Sequence, residues 1–201
     1  MYKTRNSYQL HIQLCDIKPA VWRRLVVADA MTLAEMHRAI QAVMGWQNRH
    51  LYEFEIAGQR YGQPNADEPE DPTMDARRYT LGQLLQGQAL AIRYLYDFGD
   101  GWLHRLKLEA VTPADSCQPQ CLGGSNACPP EDCGGIPGFA DFVAAVQDPA
   151  HPGHASARRL HVGDFDPRHF DLQRAQARLH SLALLRSGPA VVVAAESAAV
   201  S

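Results

Sequence analysis

Residues 91–110 hold two runs of alternating character around Gly99-Asp100-Gly101, and a strand period interrupted by an Asp-Gly step restricts the chain to folds built on an antiparallel hairpin. Ala91 to Phe98 reads as the first arm and Trp102 to Ala110 as the second. Ile92, Tyr94 and Tyr96 share one face of the first arm. Trp102, His104, Leu106 and Leu108 share one face of the second, which places His104 among apolar side chains. The Asp-Gly step is expected to supply the positive φ of the turn.

The remaining periodicity is mixed. Tyr8, Leu10, Ile12 and Leu14 alternate with more polar neighbours as a strand does, and Lys18-Pro19 ends that run. Thr32-Leu33-Ala34-Glu35 is a capping box, so a helix is expected from there to about Met44, with Gly45 stopping it. Its apolar stripe is Leu33, Met36, Ile40, Val43 and Met44, and helical spacing puts His37 on the same inward face. His50 to Ile56 reads as a strand, Gln63 to Asp75 as an aperiodic loop and Thr80 to Gln86 as one short helix. Phe139 to Val146 reads as another, and Asp164-Phe165-Asp166-Pro167 is expected to start a last helix running through Leu185. A chain of 201 residues, 46% hydrophobic, supports one real core. The expected class is α+β, a small mixed or antiparallel sheet with a β-hairpin, packed by several helices. Residues 1–185 form the expected single domain, and 186–201, rich in Ala, Val and Ser, an expected disordered tail.

A net charge of −3 argues against a nucleic-acid binder that works through overall positive field. No signal core or membrane-length apolar run is present, so a cytoplasmic protein is expected, with no membrane partner. In a reducing compartment, cysteines serve as thiols or metal ligands rather than as disulfides. Four of the five, Cys117, Cys121, Cys128 and Cys133, fall within seventeen residues in the pattern C-x3-C-x6-C-x4-C. These four could hold zinc, or three of them with His50 or His104; the alternative is that they pack as small apolar groups. His37, His50 and His104 could converge on a site with Asp97, Asp100, Glu131 or Asp132, giving acid, base and metal-binding capacity. Trp22-Arg23-Arg24 sets an aromatic beside two guanidinium groups, which suits phosphate contact with stacking; the alternative is packing and surface ion pairs. Asp97-Phe98-Gly99 copies the kinase magnesium triplet without the rest of that signature, and G-x-S-x-G, H-E-x-x-H and the P-loop motif are absent.

Four ordered blocks resemble one family. They are Pro19-x-x-Trp22-Arg23-Arg24; Thr32-Leu33-x-x-Met36-His37-x-x-Ile40-Gln41-x-x-Met44-Gly45-Trp46-x-x-x-His50-Leu51; Tyr96-Asp97-Phe98-Gly99-Asp100-x-Trp102-x-His104; and Cys128-Pro129-Pro130-Glu131-Asp132-Cys133-Gly134-Gly135. Together they resemble the plasmid pRi ORF-3-like family, some of whose members carry a mobile-element "TnpR"-type label. The resemblance spans about Tyr8 to Asp171. It implies an α+β domain associated with plasmids and insertion elements, and it implies no particular reaction. The chain departs from it at Leu160-His161, where relatives often carry a tryptophan. A serine recombinase pattern of nucleophilic serine and DNA-binding helix-turn-helix is not found. Two functional readings follow. The first is an accessory or binding domain contacting nucleic acid or protein partners, with Trp22, Arg23 and Arg24 as the contact patch. The second is a zinc-dependent enzyme, a hydrolase, drawing its ligands from the cysteine loop and the inward histidines. A blander third treats the Pro-Pro-Glu-Asp loop as a structural clamp.

Overall fold

The computed structural model describes residues 2–64, 70–88, 90–161 and 163–186, so most of the expected tail and the centre of the 63–75 loop lie outside the described residues. β1 (Tyr2–Lys3) pairs far along the chain with β9 (Ser116–Cys117) in a two-stranded ribbon. The main sheet has eight strands. In chain order they are β2 (Asn6–Leu14), β3 (Trp22–Ala28), β4 (Tyr52–Ile56), β5 (Gln59–Gly62), β6 (Met74–Asp75), β7 (Ile92–Tyr96), β8 (Trp102–Pro113) and β10 (Gln120–Ser125). Across the sheet the order is β10-β3-β2-β8-β7-β4-β5-β6, antiparallel throughout except for the β5–β6 pair. Five helices accompany it: α1 (Leu33–Met44), α2 (Leu81–Leu85), α3 (Gly135–Gln147), α4 (His154–Leu160) and α5 (Leu172–Arg186). The α+β class expected from the sequence is the class observed.

Period-two alternation explains which face of the sheet is covered. Tyr8, Leu10, Ile12 and Leu14 of β2 are buried while Gln9, His11 and Gln13 are not, and β7 and β8 bury Ile92, Tyr94, Tyr96, Trp102, His104, Leu106 and Leu108. These side chains share one core with Leu33, Met36, Ile40 and Val43 of α1. The capping box forms as expected. Thr32 Oγ1 accepts the Glu35 N–H at 3.3 Å, and the Glu35 carboxylate accepts the Thr32 N–H at 2.9 Å. Gly45 ends the helix at φ 94°, a left-handed geometry that glycine adopts without steric cost.

Several local expectations change. The hairpin arms are as read and Gly101 of the Asp-Gly step has a positive φ (72°), but Tyr96 pairs with Trp102, leaving a five-residue connection with a further positive φ at Asp97 (57°). Asp97 tolerates that conformation because its own carboxylate closes the turn, accepting the N–H of Gly99 at 2.9 Å. Part of the cysteine stretch is strand rather than loop: β10 pairs with β3 at the sheet edge, through a bulge between Cys121 and Gly123. The last helix starts at Leu172. The cap is Asp171, whose carboxylate accepts the Arg174 N–H at 2.8 Å, whereas Asp166 is spent on the Arg168 N–H in a turn of its own. Residues 154–160, between the two last expected helices, form a further helix, α4.

Candidate metal centre and the adjoining clefts

Trp46, at the end of α1, donates its indole N–H to the Pro129 carbonyl at 2.9 Å and lies against Tyr96, which pins the Pro-Pro-Glu-Asp loop to the helix and to the tip of the hairpin. A second tie joins the loop to the hairpin turn, where Asp100 accepts the Gly134 N–H at 3.1 Å. The next residue must be glycine here: Gly135 has φ 68°, and a Cβ on it would lie 2.7 Å from the Asp100 carbonyl oxygen. Three of the four sequence blocks that carry the family resemblance therefore meet at one point.

What they bring together is an imidazole and three carboxylates. His50 Nε2 lies 2.9 Å from Asp132 Oδ1, 3.6 Å from Asp97 Oδ2 and 3.9 Å from Glu131 Oε2. The Asp132 contact has hydrogen-bond length, yet Nε2 is shut off from solvent and has no aligned hydrogen-bond partner. Distance alone would call it a hydrogen bond; its direction makes it an electrostatic contact. Glu131 is held from the other side, by the Tyr96 hydroxyl at 3.0 and 3.1 Å and by the Gln47 N–H at 2.7 Å. Burial, reinforced by the facing Glu131 carboxylate, pushes the Tyr96 phenol well above its ordinary pKa, so it stays a donor. One ligand atom each from His50, Asp97 and Asp132 lie within 4.8 Å of one another, and this is the trio with that property among the described residues. At such a separation two carboxylates repel each other, the more weakly because solvent reaches Asp132. A cation between them offsets that repulsion.

His37 and His104 take no part in this cluster. Asn48 donates its N–H to Gln41 Oε1 at 2.9 Å, which fixes the Gln41 amide as donor to the Tyr94 hydroxyl at 3.2 Å. Tyr94 then donates to His37 Nδ1 at 2.7 Å, and His37 Nε2–H donates to Asn48 Oδ1 at 2.5 Å. The circuit is closed and neutral, and burial lowers the His37 pKa to about 4 against the opposing pull of Asn48. Its effect is to position the segment that delivers His50. His104 is wholly buried, its Nδ1 3.0 Å from the Trp102 carbonyl and its pKa lowered to about 4 by burial.

Among the described residues, no three of the cysteines form a close ligand set. Cys117 belongs to the β1–β9 ribbon and Cys121 to the β10 edge, where its N–H meets Gln176 of α5 at 2.7 Å; Cys128 and Cys133 bracket the Pro-Pro-Glu-Asp loop. Burial raises the thiol pKa of Cys128 and Cys133, the latter to about 12, so both are protonated at neutral pH.

Trp22, Arg23 and Arg24 do not form the expected patch, because a strand turns alternate residues to opposite faces. Arg23 points inward, 2% exposed, donating to the carbonyls of Val43, Trp22 and Ser125 at 2.7–3.0 Å with Phe170 stacked 4.1 Å away. Arg24 points outward and is occupied by Glu109 at 2.6 and 3.0 Å.

Two clefts flank the centre. One, about 600 Å³, has Glu131 and Asp132 on one wall and Arg174 and Arg178 of α5 on another; the second, about 570 Å³, is lined by His37, His50, Tyr52 and Arg38. A larger depression of about 950 Å³ lies elsewhere, near Tyr8 and Asp29, but Asp29 is already engaged by Thr4 and Asn6, and size does not select the site.

The architecture defines an α+β protein with an open, largely antiparallel sheet and a carboxylate–histidine centre at the hairpin tip. The sequence profile of the family described as Plasmid pRiA4b ORF-3-like protein matches residues 6–174, and the chain belongs to that family. It is 42% identical over 149 residues to the uncharacterized protein y4hQ of Sinorhizobium fredii, a match covering 73% of this chain and 76% of that protein. It is also similar to the crystal structure of a protein of unknown function, MM3350 from Methanosarcina mazei Go1. That match has a TM-score of 0.73 and 31% identity, and covers 85% of this chain and 97% of the other. Among the described residues, no helix is long and apolar enough to cross a membrane.

Proposed function

We propose that the protein is a divalent-metal-dependent hydrolase whose ion is held by His50, Asp97 and Asp132. The observation that supports this reading is the convergence of those three ligand atoms within 4.8 Å, with the His50 nitrogen buried and left without an aligned hydrogen bond. One imidazole and two carboxylates suit borderline to hard ions such as Zn²⁺, Mn²⁺ or Fe²⁺. Three protein ligands leave positions for water, which such an ion acidifies. Glu131, braced by Tyr96 and Gln47, is the group placed to take the proton from that water. Of the two donor sets read from the sequence, this reading takes the histidine with carboxylates and not the cysteine loop. Nucleic-acid contact through Trp22, Arg23 and Arg24 has less support, since Arg23 is buried and Arg24 is paired.

Calorimetric titration of chelator-treated protein with Mn²⁺ and Zn²⁺ tests the reading. About one ion per chain is expected to bind, with at least a hundredfold loss in Asp132→Asn and in His50→Ala. The Asp132 side chain is half exposed, so its substitution leaves the fold intact. Absence of binding, or binding indifferent to both changes, rejects the metal and leaves His50 and the three acids as an ion-free polar cluster.

A further inference from the structure

The cleft of about 600 Å³ beside the centre is lined by four arginines, Arg23, Arg49, Arg174 and Arg178, none in a salt bridge to a carboxylate among the described residues; Arg49 is spent on the Gln47 amide oxygen at 2.6 Å. Arg23 is buried on carbonyl oxygens alone. Arg174 and Arg178 stand four residues apart on α5, hence on one face of that helix, and neither guanidinium makes a hydrogen bond or salt bridge among the described residues. Arg178 packs against Gly45 at the end of α1, where the absence of a side chain gives its guanidinium room. The acids lining the same cleft are already engaged. Asp171 caps α5, Asp166 accepts the Arg168 N–H, Asp164 faces Arg158 at 3.5 Å, Glu131 serves Tyr96 and Gln47, and Asp132 faces His50 at 2.9 Å.

Like charges brought together disfavour one another. Arg178 has its pKa lowered, first by burial and then by Arg174, against a weaker opposing pull from Cys128 and Asp171; His161, on the same cleft, is lowered by burial and then by Arg174. An anion between the guanidiniums offsets that repulsion, and the planar fork of arginine matches the oxygens of phosphate.

We propose that this cleft is a phosphoryl-binding subsite in which Arg174 and Arg178 grip the phosphate oxygens of a small phosphorylated compound, opposite the carboxylate–histidine centre. This deepens the hydrolase reading, and rests on it for the reaction but not for the binding. A cleft closed on one side by the Pro-Pro-Glu-Asp loop and on the other by α5 suits a small phosphomonoester better than a polymer.

The test titrates inorganic phosphate and p-nitrophenyl phosphate into the full chain at low ionic strength, both chelator-treated and Mn²⁺-loaded. Both probes are expected to bind the wild type, and Arg174→Gln/Arg178→Gln is expected to weaken them at least tenfold while its Mn²⁺ affinity stays within about twofold. Arginine-dependent phosphate binding without any metal binding retains the subsite and rejects the metal centre, so the two readings fail separately. No phosphate binding in either form, or equal affinity in the double variant, overturns the subsite. Binding of a short single-stranded oligonucleotide without binding of either small probe overturns it as well. If Arg178→Gln does not fold, Arg174→Gln decides, because that side chain is exposed: a threefold or greater loss supports the subsite and no change overturns it.

Discussion

Two polar regions lie side by side at the end of α1 and obey opposite rules. In the circuit of Gln41, Tyr94, His37 and Asn48 hydrogen bonds join each residue to the next, both ring nitrogens of His37 are partnered, and every group is neutral. Two residues further along the chain, His50 faces Asp97, Glu131 and Asp132 with charges in excess and no aligned hydrogen bond at its nitrogen. The first arrangement satisfies buried polar groups and thereby fixes a loop. The second leaves charge unbalanced, which costs stability and is retained where a ligand completes it. His37 and His50 thus differ in the closure of their hydrogen bonds; His104, whose buried Nε2 also lacks a partner, differs from His50 in having no ion pair with a carboxylate among the described residues.

The largest expected effect that tests this contrast comes from pH. Burial holds His37 and His104 at pKa values of about 4, below the value of about 6.5 in an unfolded chain. Between those values the unfolded chain binds more protons, so stability is whole above about pH 6.5 and is lost as the pH falls toward 4. Each histidine contributes a slope of up to about 1.4 kcal/mol per pH unit. Urea unfolding at pH 7, 6 and 5 is expected to show that decline. A flat profile over this range means that the two histidines are not held neutral.

His37→Ala comes next. It opens a cavity under Tyr52, whose ring stacks 3.6 Å from the imidazole, and strands the Tyr94 hydroxyl and the Asn48 carbonyl. A loss of about 3 kcal/mol is expected in chemical denaturation at pH 7, together with a shallower acid slope than that of the wild type. If the variant is as stable as its parent, the circuit is not structural and His37 belongs with the reactive group after all.

What was legible in the sequence follows from how local each signal is. The capping box at Thr32, the stop at Gly45 and the hairpin arms depend on neighbours within a few residues, and they stand as read. β3 was missed because Trp22-Arg23-Arg24 looks polar: its strand character shows only when Leu25 and Val27 are paired with β2 and β10. β10 hid among glycines and cysteines for the same reason. The last helix was started early because Asp166-Pro167 carries a capping signature, whereas the choice of Asp171 depends on Pro167 being tied by its carbonyl to Ala127 N–H at 3.0 Å. At the centre, His50, Asp97, Glu131 and Asp132 were all named from the sequence, along with Asp100, His37 and His104. Selecting among them needs distances across more than thirty residues of chain, which periodicity does not encode. The missing signal for Arg174 and Arg178 is their lack of partners, a property only of the folded molecule.

The smallest expected effect concerns the outer face of the sheet, where Arg24 meets Glu109 in a two-pronged contact and leans over Trp22 at 5.3 Å. Hydrogen bonding from Arg24 draws the Glu109 pKa down to about 2, so the pair is formed at neutral pH. Exposed pairs are screened by water and salt and contribute little. Arg24→Ala is therefore expected to leave the urea unfolding midpoint nearly unchanged, and metal and phosphate titrations untouched. The same variant bears on nucleic acid. A guanidinium already occupied by a carboxylate has little to offer a phosphodiester, so salt-titrated affinity for duplex or single-stranded DNA is expected to be indifferent to Arg24→Ala. A clear loss of DNA affinity, with a flatter dependence on salt, turns the outer face into the working surface and the hairpin tip into its support.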